Sequence, residues 1–336
     1  MSYRTFACMA LPLAAIFAAG QTVTPAVKTT PKKAWTPPRT PDGHPDFQGV
    51  WTNNTITPME RPRGLGAKEF YTEAELGEIQ KKEGQRLALN EEEGRPTEAG
   101  TAADVHYDFA QFGLDRAQAK LAWNKRTSLI VGPEGTIPPV TPAGRARAAA
   151  IASKDRGHEF DGPENRPLGA RCLAFASVGP PMRPAGYNSN LQILQGAGYM
   201  VIETEMIHDA RVVAMNGRPH PPSNIRQWNG DSIGHWDGDT LVIDSTNFTD
   251  LTPFAGAQNL HVVERLTRVD DDTILYQFTV DDPGMWTKPW SGEIPISKIK
   301  GQMYEYACHE ANYGLANTLH GARVAEQEAA APKKAK

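Results

Sequence analysis

The feature that most constrains this chain is a change of hydrophobic period to two from Tyr187 onward. Stretches 199–207, 240–248, 260–269, 273–280 and 302–309 alternate apolar and polar residues and read as strands. Asn216-Gly217, Asp237-Gly238-Asp239 and Asp270-Asp271-Asp272 punctuate them with residues that accept tight-turn backbone angles. Strands joined by such short links pair antiparallel. Order begins earlier, at Asp46-Phe47-Gln48-Gly49-Val50-Trp51, with a short apolar strand. No strand–helix–strand alternation is present, which argues against a doubly wound sheet. The expectation is therefore a mainly β domain over 46–323, an antiparallel β-barrel or sandwich, with a few peripheral helices from the N-terminal half. Those helices fall in an insertion at about 72–155. One spans 72–90, with a Thr72/Glu75 capping box and a thin stripe of Leu76, Ile79 and Leu87. The other spans 143–154.

Residues 1–20 read as a secretory signal peptide. Arg4 precedes an apolar run from Phe6 to Ala19, and Ala18 and Gly20 place small residues before Gln21. The run is shorter than the ~20 residues a bilayer-spanning helix needs, and no later segment is apolar enough to span. Cys8 lies inside the apolar run, which disfavours lipoprotein attachment. A periplasmic or secreted location follows as an expectation. Residues 21–45 form a Pro/Thr/Lys-rich linker, and 324–336 a low-complexity, disordered tail. In an oxidising compartment Cys172 and Cys308 read first as a disulfide. The competing reading is a reactive thiol at Cys308, beside His309 and Glu310. A formal charge of −4, without a basic stripe, argues against nucleic acid as a partner. Nothing in the sequence sets the oligomeric state.

Standard catalytic signatures fail: there is no Gly-x-Gly-x-x-Gly, Walker loop, His-Glu-x-x-His or Gly-x-Ser-x-Gly. Gly230-Asp231-Ser232-Ile233 is similar to the nucleophile block of GDSL esterases, but it sits between two β patterns and reads as a turn. Three clusters concentrate ionisable groups instead. Glu205, His208, Asp209 and Arg211 fall within seven residues at a strand end. On the strand holding His261, Glu264 and Arg265, alternation puts Leu260, Val262, Glu264 and Leu266 on one face and His261, Val263 and Arg265 on the other. Either Glu264 points into an apolar interior, or His261 and Arg265 form the inward polar pair; a barrel that keeps such groups either uses them or pairs Glu264 with Arg211 structurally. Unpartnered burial of any of them would cost several kcal/mol. In the third cluster, Tyr304, Tyr306, Cys308 and Glu310 share one face while Glu305 and His309 share the reverse. That separation does not suit a shared metal, and neither a metal nor another cofactor is expected. Trp286 and Trp290 lie on one loop, suited to roof a pocket with Tyr276, Tyr304, Tyr306 and His309, or simply to fill a small core.

Gly-Val-Trp-Thr-Asn (49–53), Arg-Thr-Ser-Leu-Ile-Val (126–131), Gly-Pro-Pro-Met (179–182), Glu-Met-Ile-His-Asp-Ala-Arg (205–211), Gly-Arg-Pro-His (217–220), Gly-Asp-Thr-Leu-Val (238–242) and Tyr-Glu-Tyr-Ala-Cys-His-Glu (304–310) together resemble a family of exported proteins of Gram-negative bacteria. The resemblance spans most of 46–323. It implies an envelope setting and transfers no reaction. The Gly49-x-Trp51 opening and the strand series also resemble, more loosely, the lipocalin-like (calycin) barrels, in which such a tryptophan plugs one end.

The expected function is the handling of a small, partly apolar molecule, with acid–base chemistry (hydrolase, lyase or isomerase) as the leading form. His208 or His261 would move the proton, Glu205 or Glu264 would orient it, and Arg211 or Arg265 would hold negative charge. A carrier for an apolar ligand and a structural envelope protein are the alternatives.

Overall fold

A computed structural model of the chain describes residues 35–93, 125–251, 254, 256–257, 259–310 and 312–331. Thr36–Lys336 forms one unit; of Met1–Trp35 only Trp35 is described. The signal-peptide expectation for 1–20, most of the linker and part of the helical insertion therefore lie outside the described residues.

Nine strands close into a barrel in chain order: β1 Gly49–Thr52, β2 Asn190–Gly196, β3 Tyr199–Thr204, β4 Asp209–Ala214, β5 Asp231–Asp237, β6 Thr240–Thr246, β7 His261–Arg268, β8 Thr273–Asp281 and β9 Trp290–Lys298. The alternating sequence produces an alternating wall. On β7, Val262, Glu264, Leu266 and Arg268 are buried while their neighbours are partly exposed, and β8 repeats the pattern from Ile274 to Val280. Side chains fill the interior: Trp51, Ile193, Leu241, Ile243, Leu266, Tyr276 and Ile296 are each fully buried. Trp51 sits under the Arg268 guanidinium, 5.1 Å from its ring centre, and donates from Nε1 to the Phe47 carbonyl at 2.9 Å.

Closure is between β1 and β9, where Trp51 pairs with Lys298 and Thr52 with Ser297. All junctions are antiparallel but one. β4 and β5 run parallel and pair only through Val213 with Ser232 and Ala214 with Ile233. This short seam, like the β1–β9 closure, is held by only two residue pairs. The strands on either side of it are joined by residues 215–230 rather than by a hairpin.

Among the described residues, three α-helices lie outside the barrel: α1 Glu73–Glu93, α2 Pro142–Ser153 and α3 Tyr313–Ala330. The Thr72/Glu75 box caps α1 reciprocally, with Thr72 N donating to Glu75 at 2.8 Å and Glu75 N to Thr72 Oγ1 at 3.3 Å. Thr141 caps α2 and also donates to the Gly284 carbonyl at 2.7 Å, docking the helix beside the β8–β9 loop.

Two expectations are corrected. Residues 302–309 form no strand, because a closed barrel has no free edge to receive one. Residues 324–330 continue α3 and are not a fraying tail. The Cys172–Cys308 disulfide is formed, across a separation of 136 residues.

Candidate functional site

Glu264 occupies an inward position on β7 and is fully buried. The partner it requires comes from β4, where Arg211 also points inward and meets both carboxylate oxygens, one contact at 3.0 Å and the other shorter. Tyr276, inward on β8, donates its hydroxyl to Glu264 Oε1 at 2.6 Å and accepts from the Met182 backbone N–H at 2.9 Å. Burial opposes charge on Arg211, but Glu264 outweighs it and holds the guanidinium charged. Burial and the Glu264 carboxylate push the Tyr276 phenol well above its ordinary value. Of the alternatives the alternation left open, the first is the observed one: Glu264 is inside and paired with Arg211.

This buried ion pair lies next to the seam. A cleft of about 770 Å³ opens there, lined by Asp209, Arg211 and Val212 of β4 and by Asp231 and Ser232 of β5. Tyr199 of β3, Leu173 and the 226–230 stretch complete it, with Arg218 and Arg226 contributed by the β4–β5 connection. Tyr199, Val212 and Trp228 are exposed, so part of the cleft lining is apolar. Polar anchors accompany it: Arg218 grips the Asp231 carboxylate at 2.6 and 3.0 Å, Arg226 donates to the Phe248 carbonyl at 2.8 Å, and Asn229 donates to Asp209. Burial works against the Asp231 charge, yet its bonds from Arg218 and His220 hold it below the usual carboxylate range. The lining carries three guanidinium groups and two carboxylates. A smaller cleft of about 280 Å³ lies elsewhere on the barrel, around Asp42, His44 and Trp236.

The remaining sequence candidates are dispersed. Glu205 is buried in the β3–β4 turn, and neither of its carboxylate oxygens has a hydrogen-bond partner. Burial pushes its carboxyl up; the Asn188 and Asn190 amides beside it act in the opposite direction. His208 follows in the same turn, exposed, with Nδ1 3.2 Å from the Tyr306 carbonyl. His261 and Arg265 face outward, bonded to Asp244 at 2.9 Å and Asp237 at 2.7 Å. Trp286 and Trp290 are buried with Phe254 and Phe278 in an edge-to-face aromatic cluster, so they fill the core. Tyr304 is exposed, while Tyr306 packs on Phe175 next to Met206 and Ile207. His309 lies in an exposed turn after Cys308. The first and third clusters thus meet at the β3–β4 turn, whereas the second supplies only Glu264 to the interior.

Sequence reasoning did not single out Asn229 or Arg226, and it touched Asp231 only within the Gly230–Ile233 stretch read as a turn. Their one signal was the length of the β4–β5 connection, since long connections in compact domains are often functional. Ser232 lies on β5, not in a turn, and its hydroxyl bonds Ser245 at 2.8 Å inside the barrel. Among the described residues, no group of three or more His, Cys, Asp and Glu could hold a metal ion, and no helix is long and apolar enough to cross a membrane. Comparison with family models, curated proteins and solved structures finds no match to this chain.

Proposed function

We propose that the protein binds a small molecule with an apolar body and an anionic group in the cleft at the β4–β5 seam. The observation that carries this reading is Arg211. It is an inward-facing residue, fixed by Glu264 and Tyr276, and it nevertheless lines an open cleft. An arginine held rigid before a ligand arrives loses little entropy on binding and offers planar donors suited to a carboxylate. Tyr199, Val212 and Trp228 supply the apolar part of the lining. Calorimetric titration with benzoate and phenylacetate, against benzyl alcohol as the neutral control, tests it. The acids are expected to bind and the alcohol not. Trp228→Ala is expected to weaken binding about tenfold, the scale of a buried aromatic contact. Equal binding of acid and alcohol, or none by either acid, contradicts it.

Acid–base turnover of the bound molecule, as a hydrolase, lyase or isomerase, is the second reading. Glu205, which lies in the β3–β4 turn and not in the lining of the seam cleft, favours it, because burial raises its carboxyl above the ordinary carboxylate value, as suits a general acid. Product formation from a bound ligand by the native protein, lost in Glu205→Gln, would establish turnover; unchanged turnover in the variant removes Glu205 from the role. The Cys172–Cys308 bridge supports an exported, periplasmic or secreted setting, in keeping with the resemblance to exported Gram-negative proteins.

A further inference from the structure

The connection between β4 and β5 is tied to the outside of the barrel by an unbroken line of charged partners. Arg218 binds Asp231 with both terminal nitrogens. Asp231 Oδ2 lies 2.6 Å from His220 Nδ1, and His220 Nε2 lies 3.0 Å from Asp244 Oδ1. The other Asp244 oxygen lies 2.9 Å from His261 Nε2. Arg218 and His220 belong to the connection, whereas Asp231, Asp244 and His261 sit on β5, β6 and β7. Two residues thus fasten the connection to β5 and β6, and β7 joins the line only through Asp244. Its far part is held separately, by Gln227 N donating to the Asn247 carbonyl at 3.0 Å and Asn247 Nδ2 donating to the Pro221 carbonyl at 2.9 Å.

The line has a strict proton requirement. Ionised carboxylates only accept hydrogen bonds, so His220, with a carboxylate at each ring nitrogen, satisfies both contacts only when both nitrogens carry hydrogen. Remove one proton and a lone pair faces an anionic oxygen. The other charges nearby are Asp281, which acts on His261 from β8, and Tyr199 of β3, which acts on Arg218. Asp209 on β4 accepts from Asn229 of the same connection. Asp231 and Arg218 line the seam cleft themselves, so whatever loosens this line loosens a wall of the cleft.

We propose that the Arg218–Asp231–His220–Asp244–His261 line is a proton-operated clasp, which holds the connection against the cleft while its histidines are protonated and releases it as they lose their protons. The clasp rests on the seam-cleft reading for its purpose, but not for its existence. The hydrogen bond that His261 donates to Asp244 raises the His261 value above 6.5 against the effect of burial, so the contribution of His261 is complete below 6.5 and disappears as pH rises through the raised value. Asp244 is held below 3.8, by the His261 bond first, and Asp231 is also held below 3.8, so the acid limit of the clasp lies under that pH.

Hydrogen exchange of the ligand-free protein tests it, with rates corrected for intrinsic pH dependence and β8 as internal reference. From pH 6 to pH 8.5 the amides of residues 218–230 are expected to lose protection by about tenfold or more, the scale of one charge-assisted hydrogen bond, while β8 stays protected. In His220→Gln the pH dependence is expected to disappear, with protection at pH 6 already lowered to what the native protein shows at pH 8.5. Constant protection of 218–230 in the native protein, or an unchanged pH dependence in His220→Gln, overturns the clasp. Should that variant not fold, the native pH series decides alone. Benzoate titrations at the same two pH values separate the readings: a clasp that opens without any benzoate binding sinks the seam-cleft reading, whereas binding with no change in exchange sinks the clasp.

Discussion

Glu264 shows how one residue can organise a site. An ionised carboxylate in a barrel core is tolerable only with full compensation, and Arg211 and Tyr276 provide it. Arg211→Leu is expected to cost about 3–5 kcal/mol, since it leaves the charge uncompensated. Arg211→Leu combined with Glu264→Leu is expected to restore most of that loss; urea denaturation of the single and double variants checks both. Glu205 behaves oppositely, because burial outweighs the Asn188 and Asn190 amides beside it. Its carboxyl is raised above 4.5 by burial, so its contribution to stability is complete below that pH and disappears as pH rises through the raised value. Glu205→Gln is therefore expected to be more stable than the native chain at pH 7 and to show no gain at pH 4. A gain of equal size at both would show that burial does not perturb the group. Period-two alternation grouped Glu264 with Leu260, Val262 and Leu266, but it left open whether that face or the His261–Arg265 face pointed inward, and Arg211 was one of the partners considered. Glu205 gave no such signal, since it sits in a turn, beyond the reach of periodicity.

Elements were legible where they repeat locally and obscure where tertiary closure decides. β7 and β8 alternate so regularly that which residues share a face follows directly from sequence, although the mixed faces of β7 left open which of them is inner. β9 was missed because it contains Gly292 and Pro295, both poor strand residues in isolation. The Phe278 ring explains Gly292: a Cβ there would lie 2.2 Å from ring carbon Cζ. Phe278 is packed between Tyr276 and Trp290 and has little room to move. Gly292→Ala is expected to cost about 1–3 kcal/mol by overpacking, read as a lowered denaturation midpoint with an unchanged slope. Residues 302–309 mimic a strand locally, but the β1–β9 junction leaves them no partner. The parallel β4–β5 seam was equally hidden, since short links had implied antiparallel pairing throughout.

At the scale of the molecule, a closed barrel filled by its own side chains places its cleft at a defect in the wall rather than at its centre. The disulfide joins the segment around Cys172 to that around Cys308, and both neighbour the β3–β4 turn and the cleft-lining Leu173. Replacing both cysteines by serine is expected to cost about 3–5 kcal/mol, as expected for freeing so long a loop, and thermal denaturation under otherwise identical conditions measures it. The most direct measurement of the central assignment is amide chemical-shift mapping during titration with benzoate. Shifts concentrated in residues 209–214 and 226–232, with Arg218, are the expected result. Shifts centred on Asp42, His44 and Trp236 at the smaller cleft, or no saturable shifts, would contradict a ligand site at the β4–β5 seam.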